Sequence, residues 1–187
     1  MTASRFWIGV ECMPASVVQA AESHPRPILC GDLTDAAAVR SDLNKTLEQA
    51  ECHNLTLASP IGQGYLLDLL RRRSPIEHIV MALPAISCAF NEPSHDALRP
   101  LDEVLSESRH AIEGLITVFR GAEATLDASI AAGLTLLRAD TAEHSPPMLR
   151  ALGAFADEWI ASEADRWATL GLSLAQLTVA SVDEKPF

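Results

Sequence analysis

Two residue types are nearly missing from this chain of 187 residues: it has two lysines, Lys45 and Lys185, and a single tyrosine, Tyr65. Basic residues are scarce altogether, 14 against 25 acidic ones, for a net charge of −11. That balance argues against nucleic acid as a partner, because affinity for a phosphate backbone comes largely from cations that release condensed counterions. The one basic run, Arg71-Arg72-Arg73, lies among acidic neighbours and reads as a solvated helix end, where cations complement the helix dipole. No apolar stretch approaches the 18 residues of a membrane span, and the start, MTASRFWIGVECMP, lacks the charged-then-apolar layout of a secretion signal. A soluble, cytoplasmic protein with no membrane partner is therefore expected. The four cysteines (Cys12, Cys30, Cys52 and Cys88) are far apart, without a Cys-x-x-Cys pair or clustered histidines, so neither a zinc site nor a disulfide framework is indicated. Without a secretion signal, the acceptor pattern Asn54-Leu55-Thr56 predicts no glycosylation.

What is present is apolar side chain. Hydrophobic residues make up 48% of the chain and charged ones 21%, enough for the core of one domain spanning 1–187. Short β-rich runs alternate with helical stretches at the spacing of β-α-β units. Arg5–Glu11 reads as strand one, Pro14–Ser23 as a short helix and Pro27–Leu33 as strand two. Thr34 caps a helix whose buried face is Leu33, Ala36, Val39, Leu43 and Leu47. His53–Ser59 reads as strand three, Gln63–Arg73 as a helix and Ile76–Leu83 as strand four. A polar, proline-containing loop over 87–100 precedes a long helix over 101–132, closed by Gly133. Leu134–Arg138 is strand five, Pro146 and Pro147 open the last helix, Gly171 stops it, and Leu172–Ala180 is strand six. Strands this short and apolar suit a parallel sheet covered on both faces.

Three segments in order resemble short-chain dehydrogenases/reductases. Ile76–Ile86 (IEHIVMALPAI) resembles the family's fourth strand, usually written IDxLVNNAGI; Arg99–Ile130 resembles the following loop and helix; Arg166–Thr178 (RWATLGLSLAQLT) resembles EWAPxGIRVNxV. The resemblance spans roughly 76–181 and implies a Rossmann-like doubly wound parallel sheet of about six strands in a three-layer α/β/α arrangement. It also implies hydride chemistry through a Tyr-x-x-x-Lys pair, and that pair is lacking: the fourth residue after Tyr65 is Leu69, and no lysine lies between 46 and 184. Carried across residue by residue, the strand-four asparagines fall at Met81 and Ala82, and the structural glycine at Pro84. The helix asparagine falls near Gly114, the serine near Leu136, the tyrosine near Leu149 and the lysine near Gly153. Family members continue past strand six into a substrate-covering helix and a seventh strand, so a chain ending VASVDEKPF is expected to lack that last helix and strand.

No nicotinamide cofactor is expected. A pyrophosphate needs a glycine-rich turn whose backbone N–H groups can approach it, whereas strand one here runs into Gly9-Val10-Glu11-Cys12, with a carboxylate where an anion should be welcomed. Gly62-Gln63-Gly64 is too short for the fingerprint and reads as a loop-to-helix turn. Asp32 occupies the place of an acid that would hold an adenosine ribose; without the glycine turn it reads as a capping or surface acid.

The remaining candidates for chemistry are isolated. Cys52-His53 cannot form a nucleophile-base dyad if adjacent strand residues face opposite ways. Asn91, Glu92, His95 and Asp96 in the long loop, and Glu143 and His144 after strand five, lie toward the strand ends where doubly wound sheets bind ligands. Ile112, Phe119, Phe155, Trp159 and Trp167 lie on the two long helices, through which the resembled family pairs its subunits. The expected function is thus a non-catalytic structural or regulatory subunit, pairing with itself or with an active relative through those helices. The alternative is an enzyme or small-molecule-binding protein using the loops around His95 and His144.

Overall fold

Six strands run parallel in one sheet: β1 (Ser4–Ile8), β2 (Pro27–Gly31), β3 (Glu51–Asn54), β4 (Ile76–Ala82), β5 (Gly133–Ala139) and β6 (Ser173–Val179), in the order β3-β2-β1-β4-β5-β6. The computed structural model describes residues 3–33, 48, 50–57, 59–83, 101–139 and 147–179. The helix expected from Thr34, the loop over 87–100 with Asn91, Glu92, His95 and Asp96, and Glu143 and His144 lie outside the described residues, as do Pro84 and Cys88. The chain starts in the middle of the sheet, steps outward to β3, then crosses back to β4 and proceeds to the other edge. It is a Rossmann-like doubly wound α/β fold, and the strand order reverses between β1 and β4.

Strand alternation divides the apolar side chains between two faces. Phe6, Ile8, Ile28, Ile79, Met81, Leu134 and Leu136 point to one side, where they pack with Leu66 and Leu70 of α2 (Pro60–Arg72), Leu115 and Phe119 of α3 (Leu101–Thr125), and Leu152 and Trp167 of α4 (Pro147–Thr169). Trp7, Leu29, Ala82 and Leu137 point to the other, against Val10, Met13, Val18 and Ala21 from the segment holding α1 (Ala15–Gln19). Each step from β3 through β6 moves the same way across the sheet. Right-handed crossovers therefore put α2, α3 and α4 in one layer.

Element boundaries differ from expectation where local chemistry intervenes. Strand one ends at Ile8 instead of Glu11, because Gly9 adopts a left-handed conformation (φ 82°) and Val10–Cys12 tighten into a 3₁₀ turn. Strand three lies earlier than predicted, at Glu51–Asn54: beyond Asn54 only Leu55 N–H reaches Gly31 O, at 2.9 Å, before the chain turns into α2. That helix begins at Pro60 rather than Gln63, with Ser59 accepting a bond from Gly62 N–H at 3.0 Å and proline in the first turn. The long helix stops at Thr125, whose hydroxyl bonds back to Gly121 O at 2.7 Å, and Asp127 caps a separate 3₁₀ turn over Ala128–Ile130. Gly133 thus opens β5 instead of ending the helix. Gly171, with φ 76°, closes α4 as its sequence position suggests, and Leu172 N–H bonds Trp167 O at 2.9 Å.

Trp167 anchors α4: it is the largest fully buried side chain, 1% exposed. Replacing it by alanine removes the indole and leaves a cavity that the sheet cannot close. Trp167→Ala is expected to destabilise the domain by about 3–5 kcal/mol, read as a lower urea midpoint with unchanged slope.

Candidate functional site

At the carboxyl end of β1, where a doubly wound sheet would receive an anion, the turn is filled by an acid. Glu11 sits in the 3₁₀ turn after Gly9, and its carboxylate lies against the end of β2: a Cβ placed on Gly31 would fall 2.0 Å from Glu11 Oε2. That oxygen is buried. The helix that follows is only five residues long, too short to offer a useful positive end. A pyrophosphate here would meet a carboxylate in place of converging N–H groups, so the residues present do not fit a dinucleotide's phosphates.

The positions at which the family resemblance places catalytic groups are mostly buried. Leu136 is fully buried on β5, Met81 and Ala82 are each 1% exposed on β4, and Gly114 is buried on α3. Gly153 is buried on α4 against the guanidinium of Arg138, which would lie 3.2 Å from an added Cβ; Arg138 in turn is paired with Asp157 on α4. Leu149 belongs to the first turn of α4, its side chain outside the described residues.

A different polar constellation forms at the β3 edge of the sheet. Glu51 and His53, two residues apart on β3, share one face of that strand, and the imidazole bridges to helix α2. His53 Nδ1 lies 3.0 Å from Tyr65 Oη, and His53 Nε2 lies 2.9 Å from Glu51 Oε1. Arg73, just past the end of α2, also pairs with Glu51 Oε1. Thus one member of the Arg71-Arg72-Arg73 run is tied to the edge strand, and Arg72 is paired with Asp68. Burial pushes the Glu51 carboxyl up, but hydrogen bonds from His53 and Arg73, with the charge of Arg73, more than reverse this and hold it below the usual carboxylate range. His53 thus joins the edge-strand carboxylate to the phenol on α2 through its two ring nitrogens. The Cys52 thiol beside them is pushed up by burial and by the Glu51 carboxylate, which disfavours the thiolate that a nucleophile would need.

Tyr65 also lines a cleft of about 590 Å³ at the carboxyl ends of β2 and β3. Asp32, Asn54, Thr56 and Ser59 give it polar walls, while Leu55 and Ile61 give it apolar ones. Sequence inspection missed this site. The available signal was the Glu51-x-His53 alternation, which places both side chains on one face of a strand; their meeting with Tyr65 depends on the packing of α2. Among the described residues no cluster of three or more metal-ligating side chains forms, and no helix is long and apolar enough to cross a membrane.

The residues expected at a subunit contact divide by exposure. Phe119 and Trp167, 3% and 1% exposed, are closed inside this chain's own core and leave no surface for a partner. Ile112, Phe155 and Trp159 are half-buried at the rim of that core. Trp159 stacks on Phe119 with centroids 5.7 Å apart and planes at 7°, and Phe155 tilts against it at 5.6 Å. The two long helices are further clamped by Arg166, bidentate to Glu123 at 2.6 and 2.7 Å.

No family profile and no curated sequence matches the chain at a significant level. Its shape has many relatives, 393 solved chains in all. A short-chain dehydrogenase family protein from Francisella tularensis superposes with a TM-score of 0.65 at 14% identity, over 98% of this chain and 71% of its own. Glucose dehydrogenase of Caenorhabditis elegans gives 0.66 at 12%, over 95% and 73%. A short-chain dehydrogenase/reductase from Serratia marcescens gives 0.65 at 8%, over 95% and 74%. At such identities the likeness concerns fold alone: the chain has a short-chain dehydrogenase/reductase-like fold.

The Glu51 relay has a pH consequence. A carboxylate whose folded pKa is depressed binds fewer protons than in the unfolded chain, so its contribution to stability is complete above the unfolded value near 4.5 and is lost as pH falls through the folded value. Urea unfolding between pH 7 and pH 3 is expected to show stability falling on acidification, with a shallower fall in Glu51→Gln than in the wild type.

Proposed function

We propose that this chain is a non-catalytic subunit of short-chain-dehydrogenase-like shape, with a structural or regulatory role, which pairs with itself or with an active relative through α3 and α4. The observation that carries the reading is the chemistry at Leu136, Met81 and Ala82, where the resemblance implies polar catalytic groups and the chain has buried apolar ones. Such side chains can neither donate nor accept a proton. Glu11 adds a reason on the cofactor side, since a carboxylate in the phosphate turn repels the group that the turn would have to hold.

The assembly side rests on what the two long helices leave at the surface. Ile112, Phe155, Trp159 and Ile160 are half-buried apolar residues that pack against the core from its rim. A second pair of helices laid on this seam would complete their burial, and each large apolar side chain so covered contributes on the order of 1.5–3 kcal/mol. The Phe119–Trp159 stack and the Arg166–Glu123 clamp hold the seam in one shape before any partner arrives, which lowers the ordering cost of association.

Two measurements test the reading. Sedimentation of the wild type, alone and mixed with candidate active relatives, is expected to show an assembly larger than the monomer. Ile112→Asp is expected to dissociate it while the circular-dichroism melt persists; a wild type that stays monomeric under all these conditions rejects the pairing. On the catalytic side, Leu136→Ser with Leu149→Tyr and Gly153→Lys is expected to yield no cofactor-dependent ketone reduction. The new lysine at 153 would meet the Arg138 guanidinium, and proton transfer, which contributes about 10²–10⁴-fold, cannot act without a bound nicotinamide. Saturable micromolar binding of NADH or NADPH to the wild type would overturn the non-catalytic reading.

A further inference from the structure

The two edges of the sheet are built differently. β3 is four residues long, opens with Glu51 and is tied by that carboxylate to Arg73, the short and charged form that keeps an edge strand from pairing with another chain. β6 has none of these safeguards. Its seven residues, Ser173–Val179, include no proline, glycine or charge, and from Thr169 to Val179 the chain carries no charged residue at all, within a net charge of −11. The register against β5 is regular along the whole strand, so no bulge twists this edge away. Among the described residues nothing pairs with its outer side. Of the five exposed large hydrophobic side chains among those residues, three lie along this margin: Ile130 in the turn before β5, Leu170 just ahead of β6 and Leu177 within it, 45%, 46% and 55% exposed.

Backbone direction fixes what fits there. Ser173 N–H donates to Ala132 O at 2.9 Å, so Ser173, Ala175 and Leu177 turn their peptide groups toward β5, and Leu174, Gln176 and Thr178 turn theirs outward. Side chains alternate likewise. Leu174 packs on the core and Gln176 Nε2 donates to Asp157 Oδ1 at 2.6 Å, so both point to the helix layer, and Ala175 and Leu177 to the opposite face. A second β6 laid antiparallel about a two-fold axis at Gln176 meets every outward group: Gln176 pairs with its own counterpart, Leu174 with Thr178 and Thr178 with Leu174, with two backbone bonds in each pair. Leu177 then stands opposite Ala175, large against small.

The helix beside the edge permits this approach. α4 turns Trp159 and Arg166 toward α3, while Asp157, Ala161, Ala164 and Ala168 recur at helical spacing on the opposite side, toward β6. Asp157 is already paired with Arg138. Strands about 4.8 Å apart bring two α4 helices side by side at roughly the 8–10 Å of packed helices, a distance that alanine allows.

We propose that a second copy of this chain docks edge to edge on β6, antiparallel about a two-fold at Gln176, so that the two sheets continue as one and the α4 helices meet through their alanine sides. The contact is isologous, and two acidic chains meet along their uncharged segment. It does not rest on the α3–α4 seam of Ile112 and Trp159, which lies elsewhere on the surface.

Cross-linking tests the register. At a hydrogen-bonded antiparallel pair the Cα atoms lie about 5.5 Å apart, within disulfide range. Gln176→Cys is therefore expected to give a covalent dimer under mild oxidation, while the wild type and Thr178→Cys, whose position faces residue 174 instead, do not. Gln176→Pro removes an outward N–H and no bond to β5, and Leu177→Lys sets an ammonium against the copy's apolar strand; each is expected to halve the sedimenting mass with an unchanged circular-dichroism spectrum. Cross-linking at 176 is expected to persist in Ile112→Asp: a chain that uses both surfaces passes from tetramer to dimer with that change and to monomer only when β6 is altered too. A Gln176→Cys chain that stays unlinked overturns the proposal. So does a wild type that is monomeric up to about 0.1 mM, or hydrogen exchange that finds the Gln176 amide protected in a monomer, since the edge would then be covered within the chain.

Discussion

The all-parallel sheet sets the terms for everything else in this molecule. Parallel strands cannot be joined by tight turns, so every connection must travel back over a face of the sheet, and handedness decides which face. Because the order reverses between β1 and β4, the connections after β3 all return on the same side, and α2, α3 and α4 form one layer against Phe6, Ile79 and Leu134. The long helices come to lie side by side, where Phe119 meets Trp159 and Arg166 meets Glu123. The same rule brings β3 to the sheet edge beside the start of α2, which is why His53 can reach Tyr65.

Charge is distributed unevenly over this frame. At the end of β1 a buried carboxylate oxygen of Glu11 lies against β2, in the turn that a dinucleotide-binding relative would keep for phosphate. At the β3 edge a carboxylate is held ionised by a histidine and an arginine, and the same histidine lies against the Tyr65 phenol. The first arrangement turns away anions. The two differ because Glu11 sits in the turn after β1, whereas Glu51 opens β3 with His53 and Arg73 beside it.

Much of the architecture was legible in the residues themselves. The alternation of Phe6, Trp7 and Ile8, or of Leu134, Leu136 and Leu137, with proline and glycine at the breaks, placed all six strands and the long helices in the right order, with the ends of strand three and of the first long helix misplaced. The errors came where short-range chemistry competes with hydrophobic pattern. Apolar Leu55 and Leu57 suggested a later third strand, yet the ladder uses polar Glu51–Asn54, because an edge strand tolerates exposed side chains that an interior strand cannot. Thr125 and Asp127 broke a stripe that looked continuous through residue 132.

Sequence by itself determined the parallel α/β class, the apolar character of Leu136, Met81 and Ala82, the impossibility of a Tyr-x-x-x-Lys pair and the acid in the first turn, since these depend on residue identity and short spacing alone. Tertiary structure decided which aromatic residues close into the core and which stay at the rim: Trp159 and Trp167 lie on the same helix and are identical in type, yet only Trp167 is fully buried beneath α4. It also decided that Tyr65, an unremarkable position on an amphipathic helix, completes a relay with residues of β3. Contacts between elements depend on crossover direction and helix rotation, and these are set by the packing of the whole core rather than by any local run of residues.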